Sequence, residues 1–128
     1  MVTDPISDFI TRLKNSSDAK KATATVIASK LTENIAHVLK KAGYVSSVEK
    51  SKTKRELELG LVYFDGVARI NGVERISKPS RRLYQKAADI RSFRSGFGNT
   101  VFTTSKGIMI DTDAKKLKLG GEILFKIW

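Results

Sequence analysis

Both long apolar stripes of helical period in this chain lie within its first 43 residues; beyond them the apolar residues fall in short runs broken by turn chemistry. Ile6, Phe9, Ile10 and Leu13 recur at i, i+3, i+4 and i+7, a spacing that lines one face of a helix. Asp4 stands at the capping position and Pro5 at the first helical position, where a missing N–H costs nothing. A second stripe, Leu31, Ile35, Val38, Leu39 and Ala42, follows Ser29 as cap and stops at Gly43. Between the stripes Thr23–Ile27 reads as a strand. Residues 44–48 and 56–64 read as two more, joined across a Lys/Ser/Thr-rich turn at 50–55. The order α-β-α-β-β predicts a small domain whose helices cover a sheet.

Asp65-Gly66 and Asn71-Gly72 punctuate the chain and predict a boundary, with an N-terminal α+β domain over 1–66, a linker over 67–72 and a second domain over 73–128. Beyond the boundary the expected strands are short: 73–77, 82–85, 101–104, 108–110 and 122–128, with Lys78, Pro79 and Ser80 as the first turn. Short helices are expected over 89–95, stopped by Gly96, and over 113–118, stopped by Gly120 and Gly121. The fold class is therefore α+β in two small domains, the second mostly antiparallel β with short helices.

Charge narrows the function. Twenty-four Lys and Arg against 13 Asp and Glu give a net charge of +11, the footprint of a polyanion-binding surface. The excess is uneven: residues 1–65 hold 11 basic and 8 acidic side chains, residues 66–128 hold 13 and 5. Arg75, Lys78, Arg81, Arg82, Lys86, Arg91 and Arg94 are interrupted by one carboxylate, Asp89. Six of the eight arginines lie in this half, which favours phosphate forks and base stacking over plain solubility. The absence of cysteine excludes disulfides and thiolate metal sites. With no leader pattern and no membrane-length apolar run, a cytosolic protein is expected. His37, the one histidine, lies off the apolar stripe, and a single His falls short of the three or four ligands of a zinc site.

One segment combines charge with hydroxyls. Thr103, Thr104, Ser105, Lys106 and Gly107 fall between two strand-like runs, so they are expected at a hairpin tip where Gly107 is free to take φ > 0. Hydroxyls both donate and accept, which suits the 2′-hydroxyls, base edges and phosphates of an RNA minor groove. In the first half Thr11, Arg12, Lys14 and Asn15 form a polar group placed near the end of the first helix.

The order of these pieces resembles a known family. Asp4-Pro5-Ile6 with Thr11-Arg12 and Asn15, Ser29-Lys30-Leu31, Gly43-Tyr44, Arg75-Ile76-Ser77-Lys78-Pro79, Tyr84, Gly96-Phe97-Gly98, Thr104-Ser105-Lys106-Gly107 and Gly120-Gly121-Glu122-Ile123-Leu124 together resemble bacterial-type small-subunit ribosomal protein eight. The resemblance runs end to end. It implies a two-domain structural protein that binds small-subunit ribosomal RNA, organises its central domain, meets neighbouring ribosomal proteins and works in the cytoplasm. The family's Ser-Thr-Ser-basic-Gly loop matches residues 103–107, with Thr103 for the first Ser; its hairpin Tyr matches Tyr84 and its terminal Gly-Gly-Glu ends on Glu122. A carboxylate beside phosphate is repelled, so Glu122 is expected to orient loop hydroxyls or accept from a base amino group. The resemblance adds Lys30 and the first helix end, and the charge map adds Arg81 and Arg82. Two departures are local: Ile27-Ala28 replaces Pro-Ser before Ser29, and Ser80 replaces Gly after Pro79.

Other classes fare worse. Asp111 with Asp113, the nearest thing to a catalytic carboxylate pair, reads as helix capping. Gly96-Phe97-Gly98 precedes a strand and lacks the third glycine of a dinucleotide fingerprint. No catalytic residue, cofactor, metal, membrane or small-molecule substrate is expected. The main alternative is a messenger RNA-binding translational regulator using the same loop. A protein-interaction module working through the C-terminal strand would instead bind in a salt-resistant way.

Overall fold

In a computed structural model of the chain, residues 4–91 and 97–128 are described. The chain divides into two compact units at Gly72/Val73. The first opens with helix α1 (Pro5–Asp18), where the Asp4 carboxylate accepts from the Ser7 amide and Pro5 sits in the first turn. Strand β1 (Thr23–Ile27) leads to α2 (Lys30–Lys41). Ser29 and Thr32 cap α2 reciprocally: each side-chain oxygen accepts the other residue's amide, and Thr32 Oγ1 also donates to the Ile27 carbonyl. Gly43 ends α2 with φ +89, as its position after the stripe predicts.

Strands β2 (Val45–Lys50) and β3 (Glu56–Leu61) complete an antiparallel sheet of order β1-β3-β2. The register sets Ala24 beside Leu59 and Val26 beside Leu57, so one face is apolar; Thr25, Glu56 and Glu58 face solvent. The helices pack Phe9, Leu13, Ile35 and Leu39 with this apolar set, all fully buried.

The strand expected over 56–64 breaks at Val62, and Tyr63–Phe64 (β4) pairs with Val67–Ala68 (β5) instead. Asp65 and Gly66 both take positive φ, +50 and +77, the signature of a two-residue type I′ hairpin. Asp65-Gly66 is thus a turn inside the first unit. Residues 67–72, read from sequence as a linker, begin with this hairpin's second strand. Ile70 is buried with its carbonyl accepting from Ser17 Oγ at 2.9 Å, and the Arg69 guanidinium lies 4.1 Å from the Tyr44 ring centroid.

The second unit is one antiparallel sheet with short helical pieces. Strand β6 (Val73–Arg75), β7 (Tyr84–Gln85), β8 (Asn99–Thr104), β9 (Gly107–Ile110) and β10 (Gly121–Ile127) are organised around β10. One edge of β10 pairs along β8; the other pairs β6 near its C-terminal end and β7 near its start. Phe102, Met109, Ile90 and Ala114 cluster on one face, with Leu119 and Ile123 packed against them.

Two helical expectations change. Where a helix was predicted over 89–95, a 3-10 turn occupies Ala87–Asp89 and Ile90 is extended; 92–95 and Gly96 lie outside the described residues, as does Arg94. Helix α3 spans Asp111–Lys116, two residues earlier than expected, and the residue that turns the chain out is Lys118 at φ +55, not Gly120 or Gly121. Asp111 and Asp113 therefore stand inside its first turn, and the buried Asp111 carboxylate accepts from Asn99 Nδ2 at 2.9 Å instead of capping.

Candidate nucleic-acid interface

In the second unit the start of β10 gathers three segments far apart in the chain. Glu122 lies between Tyr84 on β7 and Thr103 on β8, and Thr103 in turn faces Ile108 on β9. Directly paired residues point to the same face of a sheet, so Tyr84, Glu122 and Thr103 form one row. The next row, Gln85, Gly121, Thr104 and Gly107, points the other way. The loop hydroxyls thus divide: Thr103 joins Tyr84 and Glu122, whereas Thr104 lies on the side of Met109.

Glycines make this convergence possible. A Cβ on Gly121 would meet the Thr103 carbonyl oxygen inside any real contact distance, and one on Gly120 would come within 2.6 Å of the Gln85 carbonyl oxygen. Strand β10 can enter between β7 and β8 only because two residues there lack side chains. Sequence reading gave these glycines the role of helix stops and missed their role as spacers; a Gly-Gly pair at a strand start was the available signal.

The tip itself is a two-residue turn, Ser105-Lys106, flanked by the pair Thr104 and Gly107. Gly107 has φ +112, as predicted for its place after the turn. Thr104 Oγ1 donates to the Gly107 carbonyl at 2.8 Å and accepts from the Lys106 amide at 3.2 Å. Its hydroxyl therefore holds the turn in shape. Ser105 and Lys106 project into solvent.

Tyr84 is 72% exposed, an aromatic face open to stacking, while Glu122 is 8% exposed. The Glu122 carboxylate accepts from Arg82 Nη1 at 3.1 Å, an internal ion pair that answers its charge without loop hydroxyls. Arg82 lies just before β7, and its guanidinium reaches the row of Tyr84 through Glu122. Arg81 sits beyond the Pro79-Ser80 turn, whose neck is closed by reciprocal backbone hydrogen bonds between Lys78 and Arg81, both 2.9 Å. Buried Ser77 pins that turn, donating to the Leu83 carbonyl and accepting from its amide. Arg75, counted among the basic run, donates to the Leu124 carbonyl.

In the first unit α1 runs to Asp18, so Asn15 opens its last turn, its carbonyl accepting from the Ala19 amide, while Thr11, Arg12 and Lys14 lie in the turn before. Arg12 Nε pairs with Asp8 at 3.0 Å, and Lys14 pairs with Asp18. Arg12 and Asn15 line an open polar groove of about 430 Å³ with Ser16, Lys21, Thr23 and Thr25. Those last four were missed; the alternation of Thr23 and Thr25 on the exposed face of β1 was their signal. Thr11 is exposed, and Thr11 and Lys14 are not among the groove residues. Lys30 lines a separate polar groove with Ser29, Glu33, Lys50 and Lys54.

Among the described residues no group of three or more His, Cys, Asp or Glu side chains is placed to hold a metal ion, and no helix is long and apolar enough to cross a membrane. The arrangement offers hydroxyls, an open aromatic ring, guanidinium groups and ammonium groups on strands and the turns between them. Those are the groups that contact phosphate, ribose and unstacked bases.

Comparison with known proteins agrees with this chemistry. The family described as Ribosomal protein S8 matches residues 4–128. Small ribosomal subunit protein uS8 of Nitrobacter hamburgensis is 41% identical over 128 residues, covering 98% of this chain and 97% of the relative. The protein of the same name from Nitratidesulfovibrio vulgaris is 40% identical over 128 residues, the full length of both. That of Rhodopseudomonas palustris strain BisA53 is 39% identical over 98% of this chain and 97% of its own.

Proposed function

This chain belongs to the ribosomal protein S8 family, and from that premise we propose that it binds small-subunit ribosomal RNA directly and organises the central domain of that RNA during assembly. It is a structural constituent of the small ribosomal subunit, not an enzyme, and its partners are ribosomal RNA and neighbouring ribosomal proteins. The observation that carries the finer reading is the β10 convergence, where Tyr84, Thr103 and the Ser105-Lys106 tip are brought to one rigid end of a basic sheet.

Recognition on this reading has two components. Arg81, Lys106 and the surrounding cations draw the RNA and release counterions, a salt-sensitive attraction without sequence preference. Ser105, Thr103 and the Tyr84 ring then supply the shape-dependent fit, with the Arg82–Glu122 pair fixing the row they stand in. Glu122 acts as a positioning residue for Arg82. In the first unit, Arg12 and Asn15 with Lys21, Thr23 and Thr25 give a second, weaker contact, as does Lys30, and two weak contacts joined by one chain bind far better than either.

The test is binding of the whole protein to a central-domain fragment of small-subunit RNA, to its own messenger RNA and to an unrelated RNA, at several salt concentrations, with co-sedimentation on small subunits. Preference for the central-domain fragment together with co-sedimentation supports the proposal. Preference for the messenger RNA would favour the regulator. Equal binding to all three would reduce the protein to a nonspecific polycation.

A further inference from the structure

The β4–β5 hairpin of the first unit carries a feature that RNA binding leaves unused. Phe64 and Val67 are directly paired across the Asp65-Gly66 turn, so both side chains lie on one face of the hairpin. They are 67% and 62% exposed, among the most exposed large apolar side chains of the described residues. Tyr63 and Ala68 point the other way, and the Tyr63 hydroxyl donates to the Lys21 carbonyl, tying that face to the body of the unit. A scattered exposed apolar residue is ordinary; two side by side on a rigid type I′ turn form a preformed knob.

Local charge selects the occupant. Between Leu61 and Ala68 the one charged side chain is Asp65, a carboxylate at the very tip, in a chain of net charge +11. Arg69, next along the chain, stacks over Tyr44. The hairpin itself therefore offers no cation to hold a phosphate where the apolar pair is presented, and a second copy of so basic a chain is repelled as a whole. A protein surface with an apolar socket and a Lys or Arg at its rim complements both the knob and its carboxylate.

We propose that Phe64, Val67 and Asp65 form a docking knob for a neighbouring small-subunit ribosomal protein, inserted into an apolar socket rimmed by a basic side chain. This rests on the reading that the chain is incorporated into the small subunit.

The experiment replaces Val67 with the photocrosslinker p-benzoylphenylalanine in the full chain, reconstitutes small subunits, irradiates them and maps the product by mass spectrometry. Incorporation of the unmodified protein is checked first, and its failure would overturn the ribosomal reading itself and this proposal with it. A crosslink to one ribosomal protein, at a segment holding apolar residues beside Lys or Arg, is expected. A crosslink to RNA, a crosslink to a second copy, or no crosslink in assembled subunits would overturn the docking role while leaving RNA binding by the second unit intact.

A second arm uses the double variant Phe64→Ser, Val67→Ser, with Phe64→Leu as the conservative partner. The double variant is expected to keep its affinity for isolated central-domain RNA within twofold and its melting temperature, but to be retained at least fivefold less in subunits washed at high salt. Phe64→Leu is expected to be retained like the unmodified protein, because a socket accepts Leu whereas base stacking does not. Undiminished retention of the double variant, or equal loss with Phe64→Leu, would refute the knob.

Discussion

Replacing Thr104 and Ser105 one at a time separates building the hairpin tip from reading RNA with it. Thr104 Oγ1 makes two hydrogen bonds inside the turn, at 2.8 and 3.2 Å. Each net hydrogen bond contributes roughly 0.5–1.5 kcal/mol, and this one is partly wet, so Thr104→Ala is expected to destabilise the second unit by about 1 kcal/mol. For a domain of this size that is a fall in melting temperature of about 4–8 °C, read by circular dichroism. Thr104→Ser keeps the hydroxyl and should melt like the unmodified protein. Ser105 projects from the tip, so Ser105→Ala should leave the melting temperature unchanged. If its hydroxyl meets a phosphate or 2′-hydroxyl, affinity for central-domain RNA should fall by about 1–2 kcal/mol, some five- to thirtyfold. Binding to unrelated RNA should barely move. Filter binding at fixed salt measures both. A cognate affinity for Ser105→Ala within twofold of the unmodified protein, or equal losses on both RNAs, would refute the assignment of the tip as specific reader.

Three further outcomes follow from the same geometry. Arg81→Gln should flatten the slope of log K against log salt by about 0.9 for one duplex phosphate contact, and Arg82→Gln by less, because Glu122 already answers the Arg82 charge; equal flattening in salt titrations would contradict that pairing. Gly121→Ala drives a methyl into the Thr103 carbonyl and should cost about 1–3 kcal/mol of stability, seen as a lower denaturant midpoint, where an unchanged midpoint would show that β10 does not pack so closely. A fragment spanning 73–128, which carries the convergence, should fold and retain specific but weaker RNA binding; affinity equal to the full chain would remove the first unit from recognition.

The elements legible in the sequence were those with a strong local signal. The stripes of α1 and α2, the Asp4-Pro5 and Ser29 caps, the Gly43 stop and the tip at Ser105-Lys106 each depend on residues within a few positions of one another. How far α1 runs beyond Leu13 has no such local signal, because Ser17 is buried and bonded to Ile70, a tertiary partner 53 residues away. Asp65-Gly66 was read as a boundary although Asp-Gly between apolar residues is also a hairpin signal; the short length of both strands hid the alternation. Tyr84, Glu122 and Thr103 were joined beforehand only by family resemblance. No periodicity within either strand reports that β10 inserts between β7 and β8, since that depends on the space left by Gly120 and Gly121. The Arg82–Glu122 pair was hidden for the same reason.

The most direct test of the central claim uses the absence of cysteine: Ser105→Cys creates a unique thiol to which an iron chelate can be tethered at the tip, and Glu58→Cys does the same on the exposed face of the first sheet as a control. With the protein at saturating concentration, hydroxyl radicals released at the chelate should cut small-subunit RNA in one compact cluster within the central domain from position 105. Position 58 should not give that cluster, and unrelated RNA should not be cut in a defined pattern. Diffuse cleavage from position 105, or the same pattern from both positions, would contradict the claim that the hairpin tip of the second unit rests on one specific site in the RNA.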